Sequence, residues 1–263
     1  MKAIILCAGQ GRRLLPLTES IPKCCLQLGD RTMLQVQVDA LCRAGIDEIV
    51  VVTGFGHHVV DDIIGRIDSP VPLRTLYNPF YALSDNLGTC WVARAEMTGS
   101  FLLLNGDTLF EPAVMRRLID GAGSFPVTLA ADRKAAYDDD DMKIHADGDR
   151  LLQVGKKLPS AIVNGESIGM MVFTGAGGKA FVRRVEQLMG GPDGLARWYL
   201  SAIDDLARDG LVGIASIHGL GWCEVDDMDD LAHAEHAVRI WSGRADESAG
   251  DLAGTEPPPP AEN

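Results

Sequence analysis

Apolar residues along this chain fall into two alternating patterns. Runs over residues 2–6, 48–53 and 100–105 are rich in Val, Ile and Leu, the composition of parallel strands buried on both faces, and residues 71–77 read as another strand. Between the first two runs, Met33, Leu34, Val36, Val38 and Leu41 recur at helical spacing within residues 32–44, and Gly45 stops the pattern. Residues 56–64 read as a shorter helix, and a turn-rich loop over 78–89 opens another that runs to about Met97. Strand and helix in alternation predict an α/β fold with a doubly wound, mostly parallel, Rossmann-like sheet, whose ligands bind beyond the carboxyl ends of its strands.

The rhythm changes in the second half. After a helix over 112–120 and a strand over 127–131, the segments 142–144, 151–157 and 162–173 hold short strands and turns, which predict a small β subregion on the substrate side. Amphipathic helices follow over 178–189 and 195–207, with Trp198, Tyr199 and Leu200 read as core or, alternatively, as a border of the acceptor pocket. A strand over 211–217 and a helix from about Met228 to Trp241 complete the pattern. Beyond Ser242 the chain is polar and carries four consecutive prolines, so one domain over 1–242 and a disordered tail over 243–263 are expected.

Composition narrows the partners. At 263 residues and 46% hydrophobic content the chain can bury a large single core. A net charge of −13 argues against nucleic acid, whose binding needs a basic face. An acidic protein that binds phosphate must concentrate its cations, which gives Arg12, Arg13, Lys23, Lys143, Lys156 and Lys157 weight. No stretch reaches the roughly 18 apolar residues of a membrane span and no apolar signal core opens the chain, so a cytoplasmic protein without a membrane partner is expected. Six cysteines without Cys-x-x-Cys spacing read as buried thiols.

The candidate chemistry begins where the first strand ends. In Cys7-Ala8-Gly9-Gln10-Gly11-Arg12-Arg13, small residues let backbone N–H groups approach an anion beside two guanidiniums, although a glycine turn alone reads equally well as a plain connection. The continuation Leu14-Leu15-Pro16-Leu17-Thr18, then Pro22-Lys23, completes a pattern that resembles the signature of the sugar-phosphate nucleotidyltransferase superfamily. The resemblance implies that Gly9 and Gly11, with Leu6, Ala8 and Arg12, wrap a nucleoside triphosphate. It further implies that Arg13 holds the departing phosphates and that Lys23 bridges the α-phosphate and the acceptor.

The same resemblance orders the later motifs. Ser84 or Asp85 reads as the cap of the helix after the 78–89 loop. By resemblance Asn86, Gly88 and Thr89 contact base and ribose, and the form Ser84-Asp85-Asn86-Leu87-Gly88 is similar to the branch that transfers cytidylyl groups to phosphocholine, inositol phosphate or phosphonates. Asp107, in Asn105-Gly106-Asp107-Thr108, suits a helix cap or a magnesium ligand, and the family motif favours the metal. Asp226, in Trp222-Cys223-Glu224-Val225-Asp226-Asp227, is the implied second ligand, with Glu224 in reserve and Asp227 capping the last helix. Lys156 and Glu166 are the acceptor contacts that the resemblance implies, Lys143 and Asp85 are further candidates by their charge, and the run 138–141, four adjacent aspartates, reads as a solvated loop.

The expected reaction is transfer of CMP from CTP, with Mg²⁺ as cofactor, to a small phosphorylated alcohol or phosphonate, releasing pyrophosphate. Sugar-1-phosphate transfer from UTP, dTTP or GTP is the alternative, and a nucleotide-binding regulatory subunit is a second. The joint presence of Arg13, Lys23, Asp107 and Asp226 argues against the latter. A dinucleotide-dependent dehydrogenase would need a third glycine and a ribose-binding acid after the second strand.

Overall fold

The computed structural model of the chain describes the backbone of residues 1–253 and the side chains of residues 1–242. The first half lays down β1 (Lys2–Cys7), a small hairpin of β2 (Gln27–Leu28) and β3 (Arg31–Thr32), α1 (Met33–Arg43), β4 (Glu48–Thr53), α2 (His57–Ile64), β5 (Leu73–Tyr77), α3 (Asn86–Ala93) and β6 (Phe101–Asn105). The second half adds β7 (Thr108–Phe110), α4 (Pro112–Asp120), β8 (Val127–Asp132), β9 (Lys143–Asp147), β10 (Arg150–Val154), β11 (Gly165–Phe173), α5 (Gly175–Met189), α6 (Leu200–Arg208), β12 (Val212–Ser216), β13 (Trp222–Glu224) and α7 (Met228–Ala253). Local chemistry fixes several of these bounds. Thr32 and Gln35 form a reciprocal capping box at the start of α1, and Pro112 occupies the first turn of α4, where a missing N–H costs nothing.

Nine strands form one sheet in the order β5-β4-β1-β6-β11-β8-β12-β10-β9. β5, β4, β1 and β6 are parallel, and β8 and β12 are parallel to each other. β11 enters antiparallel between β6 and β8. β10 runs against β12 and β9, and β9 turns back to pair with the start of β11, closing the small substrate-side region. The displacement from expectation within the sheet is β11, placed by its sequence in that subregion. It lies at the centre of the sheet with all nine residues buried, because Ile168 to Phe173 are apolar on both faces.

The two faces of the sheet bury separate cores, and β1 shows the period-two division. Ile4 and Leu6 face a core with α3, α5 and α6, whereas Ala3, Ile5 and Cys7 face one with α1 and α4. Each fully buried Leu or Ile in these layers contributes about 1.5–3 kcal/mol. A third cluster, Leu14, Leu26, Met33, Leu109, Cys223 and Val225 with Ala234 and Val238 of α7, lies to one side. It ties the loop after β1 to the loop before α7, and that tie positions the site. α7 continues to Ala253, past the expected end near Trp241; of the tail expected to be disordered, residues 254–263 lie outside the described residues. No helix among the described residues is long and apolar enough to cross a membrane.

Candidate active site

The loop after β1 is held by its own backbone. Gly11 takes a left-handed conformation (φ 75°), and a Cβ there would come within 2.9 Å of the Lys23 Cβ, so a glycine lets Lys23 lie under the loop. The Thr18 hydroxyl donates to the Gly11 carbonyl (2.8 Å), Gln10 Nε2 donates to the Thr18 carbonyl (3.2 Å), and the Phe55 N–H donates to the Ala8 carbonyl (3.0 Å). Leu14, wholly buried in the third cluster, anchors the far end. The loop is therefore set before any ligand arrives.

Two acidic residues are brought over this loop by short-range pairing. Gly106 turns the chain after β6 tightly against β1, where a Cβ would strike the Cys7 sulfur, and its N–H donates to the Leu6 carbonyl (3.0 Å). β7 pairs with β13, and the Val225 N–H donates to the Asp107 carbonyl (3.2 Å), which sets Asp226 beside Asp107. Asp227 accepts from the N–H groups of Asp229 and Asp230 and caps α7, as its sequence position predicts.

Lys23 joins the two carboxylates. Its Nζ lies 2.9 Å from Asp107 Oδ2 and 2.6 Å from Asp226 Oδ1. Burial works against its charge, but Asp107 and Asp226 outweigh burial and hold the ammonium above its ordinary pKa. Arg13 lies 3.0 Å from Asp226 Oδ2 and 3.1 Å from Asp140 Oδ2, and Lys156 lies 3.1 Å from Asp140 Oδ1 and 4.9 Å above the Trp198 ring. The second oxygen of Asp107, Oδ1, is buried with no hydrogen-bond partner, an arrangement that is costly unless a further ligand completes it. Glu224 faces the same cavity, its carboxyl pushed up to about 8 by burial and then by the charges of Asp107 and Asp226. Among the described residues no three His, Cys, Asp or Glu side chains are arranged as a metal cage.

Three adjoining cavities cross this network. The first, about 340 Å³, is lined by Leu6, Ala8, Gly9, Arg12, Asn86 and Thr89 together with Gln10, Phe55 and Tyr81. The second, about 210 Å³, lies over Gly11, Lys23 and Asp107. The third, about 330 Å³, contains Arg13, Asp140, Lys156, Glu224 and Asp226 with Asn105, Ser167 and Gly169. Asn86 lines all three, and its side-chain carbonyl accepts from the Tyr199 N–H (2.8 Å).

Several expected contacts lie elsewhere. Gly88 lines none of the three cavities; a Cβ there would strike Ser84, so its smallness serves packing. Asp85 holds the cap position of α3 without a capping bond and lines the first cavity, away from the acceptor side. Burial raises its pKa, against a hydrogen bond with Trp198. Lys143 is buried and donates to the carbonyls of Asp138 and Lys156, which consumes its ammonium. Glu166 is buried in an ion pair with Lys134 (3.2 Å), and burial, opposed by Lys134, pushes its carboxyl up to about 7. Along β11 it is Ser167 and Gly169 that reach the cavity, so alternation turns Glu166 away.

Conversely, Asp140 is not simply solvated but lies between Arg13 and Lys156, and Trp198 is 41% exposed over the cavities while Tyr199 and Leu200 are core. A run of four aspartates gave no sign of the first placement, and for Trp198 the pattern left core and pocket border both open. Phe55 and Tyr81 are also additions; a signal for Tyr81 existed in its turn-rich loop.

A family model described as MobA-like NTP transferase domain matches residues 3–202. The CMP-5'-(3-aminopropyl)phosphonate synthase of Streptomyces rubellomurinus is 27% identical over 247 residues, 89% of this chain and 38% of that protein. The choline-phosphate cytidylyltransferase of Streptococcus pneumoniae is 30% identical over 111 residues, 42% of this chain and 47% of that protein. The chain thus spans about half, or less, of the length of the curated relatives it matches. Among solved structures, the inositol-1-phosphate CTP transferase from T. maritima superposes with a TM-score of 0.77 at 18% identity, covering 91% of this chain and 95% of that one.

Proposed function

Because the chain belongs to the MobA-like NTP transferase domain family, we propose that it transfers CMP from CTP to a small phosphorylated alcohol or phosphonate and releases pyrophosphate. The observation that carries this reading is Lys23 held between Asp107 and Asp226 beneath the glycine loop, with Arg13 at one side and an open cavity at the other. CTP is favoured because the relative matched over 247 residues is named for a CMP product and two others are named as cytidylyltransferases.

In this reaction an anionic oxygen of the acceptor attacks the α-phosphorus of CTP, a P–O bond forms there, and the bond to the β-phosphate oxygen breaks with pyrophosphate leaving. No base is required, since the attacking oxygen is already ionised near neutral pH. Transfer of this kind rests on alignment and charge neutralisation. Lys23 aligns the two reacting phosphates, Arg13 holds the pyrophosphate, and Lys156 meets the acceptor phosphate once Asp140 yields it. The loop N–H groups around Gly9 and Gly11 exclude water from the triphosphate.

Mg²⁺ fits the acidic pair, because the bare Asp107 Oδ1 and the Asp226 carboxylate offer oxygen ligands that substrate phosphates would complete. When bound, the ion supplies positive charge to the reacting phosphates. The six cysteines are free thiols, as in a reducing compartment, and we place the reaction in the cytoplasm.

The test is pyrophosphate release with and without magnesium, using CTP, UTP, GTP, ATP and dTTP against phosphocholine, inositol-1-phosphate, 2-aminoethylphosphonate and sugar-1-phosphates. Magnesium-dependent release with CTP and a non-sugar acceptor is expected. Release only with a sugar-1-phosphate and another nucleotide would overturn it.

A further inference from the structure

The cavities do not end at Trp198. Beyond the Lys156–Trp198 pair opens a chamber of about 1040 Å³, bounded by residues 154–160 and the start of α6. Met142, Lys156, Trp198 and Leu200 line both this chamber and the third cavity, so the two adjoin across the Lys156–Trp198 pair. It is about three times the volume of the cavity that precedes it.

The charges lining the chamber can be paired off. Asp204 accepts from the Val154 N–H (2.9 Å) and from Arg208 (2.5 Å), and Asp205 pairs with Arg184 (2.8 Å). Arg197 Nη2 pairs with Asp193 (2.7 Å), while Lys156 lies on Asp140 and Lys143 on two carbonyls. One cation and one anion are left over. The side chains of Lys157 and Asp139 make no hydrogen bond or ion pair with any described residue, and Arg197 Nε is buried without a partner.

Resting on the CMP-transfer reading above, we propose that the chamber receives the far end of the acceptor and that this end is zwitterionic: a phosphorylated or phosphonate-bearing α-amino acid. Its phosphate or phosphonate lies at Lys156, its ammonium faces Asp139, and its carboxylate faces Lys157 on the side of the chamber that Arg197 lines. A compact acceptor whose far end is only cationic, such as phosphocholine, would be accommodated by the 330 Å³ cavity and leave the chamber's carboxylate-binding groups bare. A polyol would leave both signs of charge unmatched.

The test measures binding and turnover separately, on the full chain with magnesium. Tryptophan fluorescence and calorimetry report binding of ω-phosphono-α-amino acids of four, five and seven carbons, against 2-aminoethylphosphonate, phosphocholine and inositol-1-phosphate. At least one phosphono-amino acid should bind about tenfold more tightly than every acceptor lacking the carboxylate, the effect of about one well-placed charge pair. Lys157→Ala and Asp139→Asn should each remove most of that preference and leave 2-aminoethylphosphonate binding unchanged. Equal binding across the panel, or a preference indifferent to both substitutions, would overturn the inference. If the preference holds but no CMP is transferred from CTP to any acceptor, the zwitterion site stands and the transferase reading fails. If CMP passes efficiently to phosphocholine while phosphono-amino acids bind no better, the reverse is true.

Discussion

The two ends of the site are built by different means. The nucleotide end, around β1, β4 and the start of α3, is held by backbone hydrogen bonds and close packing: Thr18 on Gly11, Phe55 on Ala8, Leu14 buried. The acceptor end is held by charges on side chains, with Asp140 between Arg13 and Lys156, Glu166 against Lys134, and Lys143 on two carbonyls. A loop tied through its backbone keeps its form whatever binds, whereas ion pairs at a partly wet surface are each worth little and exchange readily for a ligand's charges. The first end is therefore suited to the part of the substrate that does not vary, and the second to the part that does.

Lys23 is where the two ends meet, and its removal gives the largest effect. Lys23→Ala should lower the turnover for pyrophosphate release by about 10²–10³-fold, with far-ultraviolet circular dichroism unchanged. Near-normal turnover would dismiss Lys23 as the aligning group. Next come the glycines, which separate the ends by stability. Gly169 has a φ of 67° and a Cβ there would overlap the Asn105 amide, so Gly169→Ala should cost about 2–4 kcal/mol in urea unfolding. At Gly9 no atom lies within 4 Å of the added carbon, and Gly9→Ala should stay within about 0.5 kcal/mol.

Glu166 sharpens the contrast through pH. Its carboxyl titrates near 7 in the folded protein against 4.5 ordinarily, so between these values the folded state holds a proton that the unfolded state has lost. Its contribution is full below about 4.5 and is lost as pH rises through 7, a decline on the order of 1–3 kcal/mol. Glu166→Gln should flatten that part of the stability profile; an unchanged slope would mean that Glu166 titrates normally. The smallest effect on activity is at Asp140. Asp140→Asn frees Arg13 and Lys156 and should lower the apparent KM for CTP or the acceptor about two- to fivefold, an advantage that shrinks in high salt.

The same division governs what could be read from the chain alone. Contiguous motifs carried the backbone-built end: the run from Leu6 to Lys23 and the turn at Asp107 are local, and periodicity gave the strands beneath them. Asp226 was reachable because β13 and its capping Asp227 are also local. The acceptor end depends on pairings remote in sequence, Arg13 with Asp140 and Asn86 with Tyr199, for which one-dimensional pattern has no term. Lys143 and Glu166 were misplaced for that reason: a lysine or glutamate of the right type carries no mark of whether its charge is already spent inside the fold. Trp198 could be read as core or as a border of the acceptor pocket because its neighbours belong to the core, and a helix start divides adjacent residues between core and cleft.

The position of β11 has a consequence for how the protein comes into being on the ribosome. Residues 1–105 contain four parallel strands that pair with one another, so they can begin to assemble as soon as they emerge. The edge of β6 then stays open for some sixty residues of synthesis, until 165–173 arrive to cover it and to bridge to β8. Asp226 comes later still. A nascent chain can thus have its parallel strands paired while the loop after β1 still lacks both its anchor on Cys223, Val225 and α7 and the second acid, so a ribosome-bound intermediate stopped before residue 222 should neither hold nucleotide tightly nor turn it over.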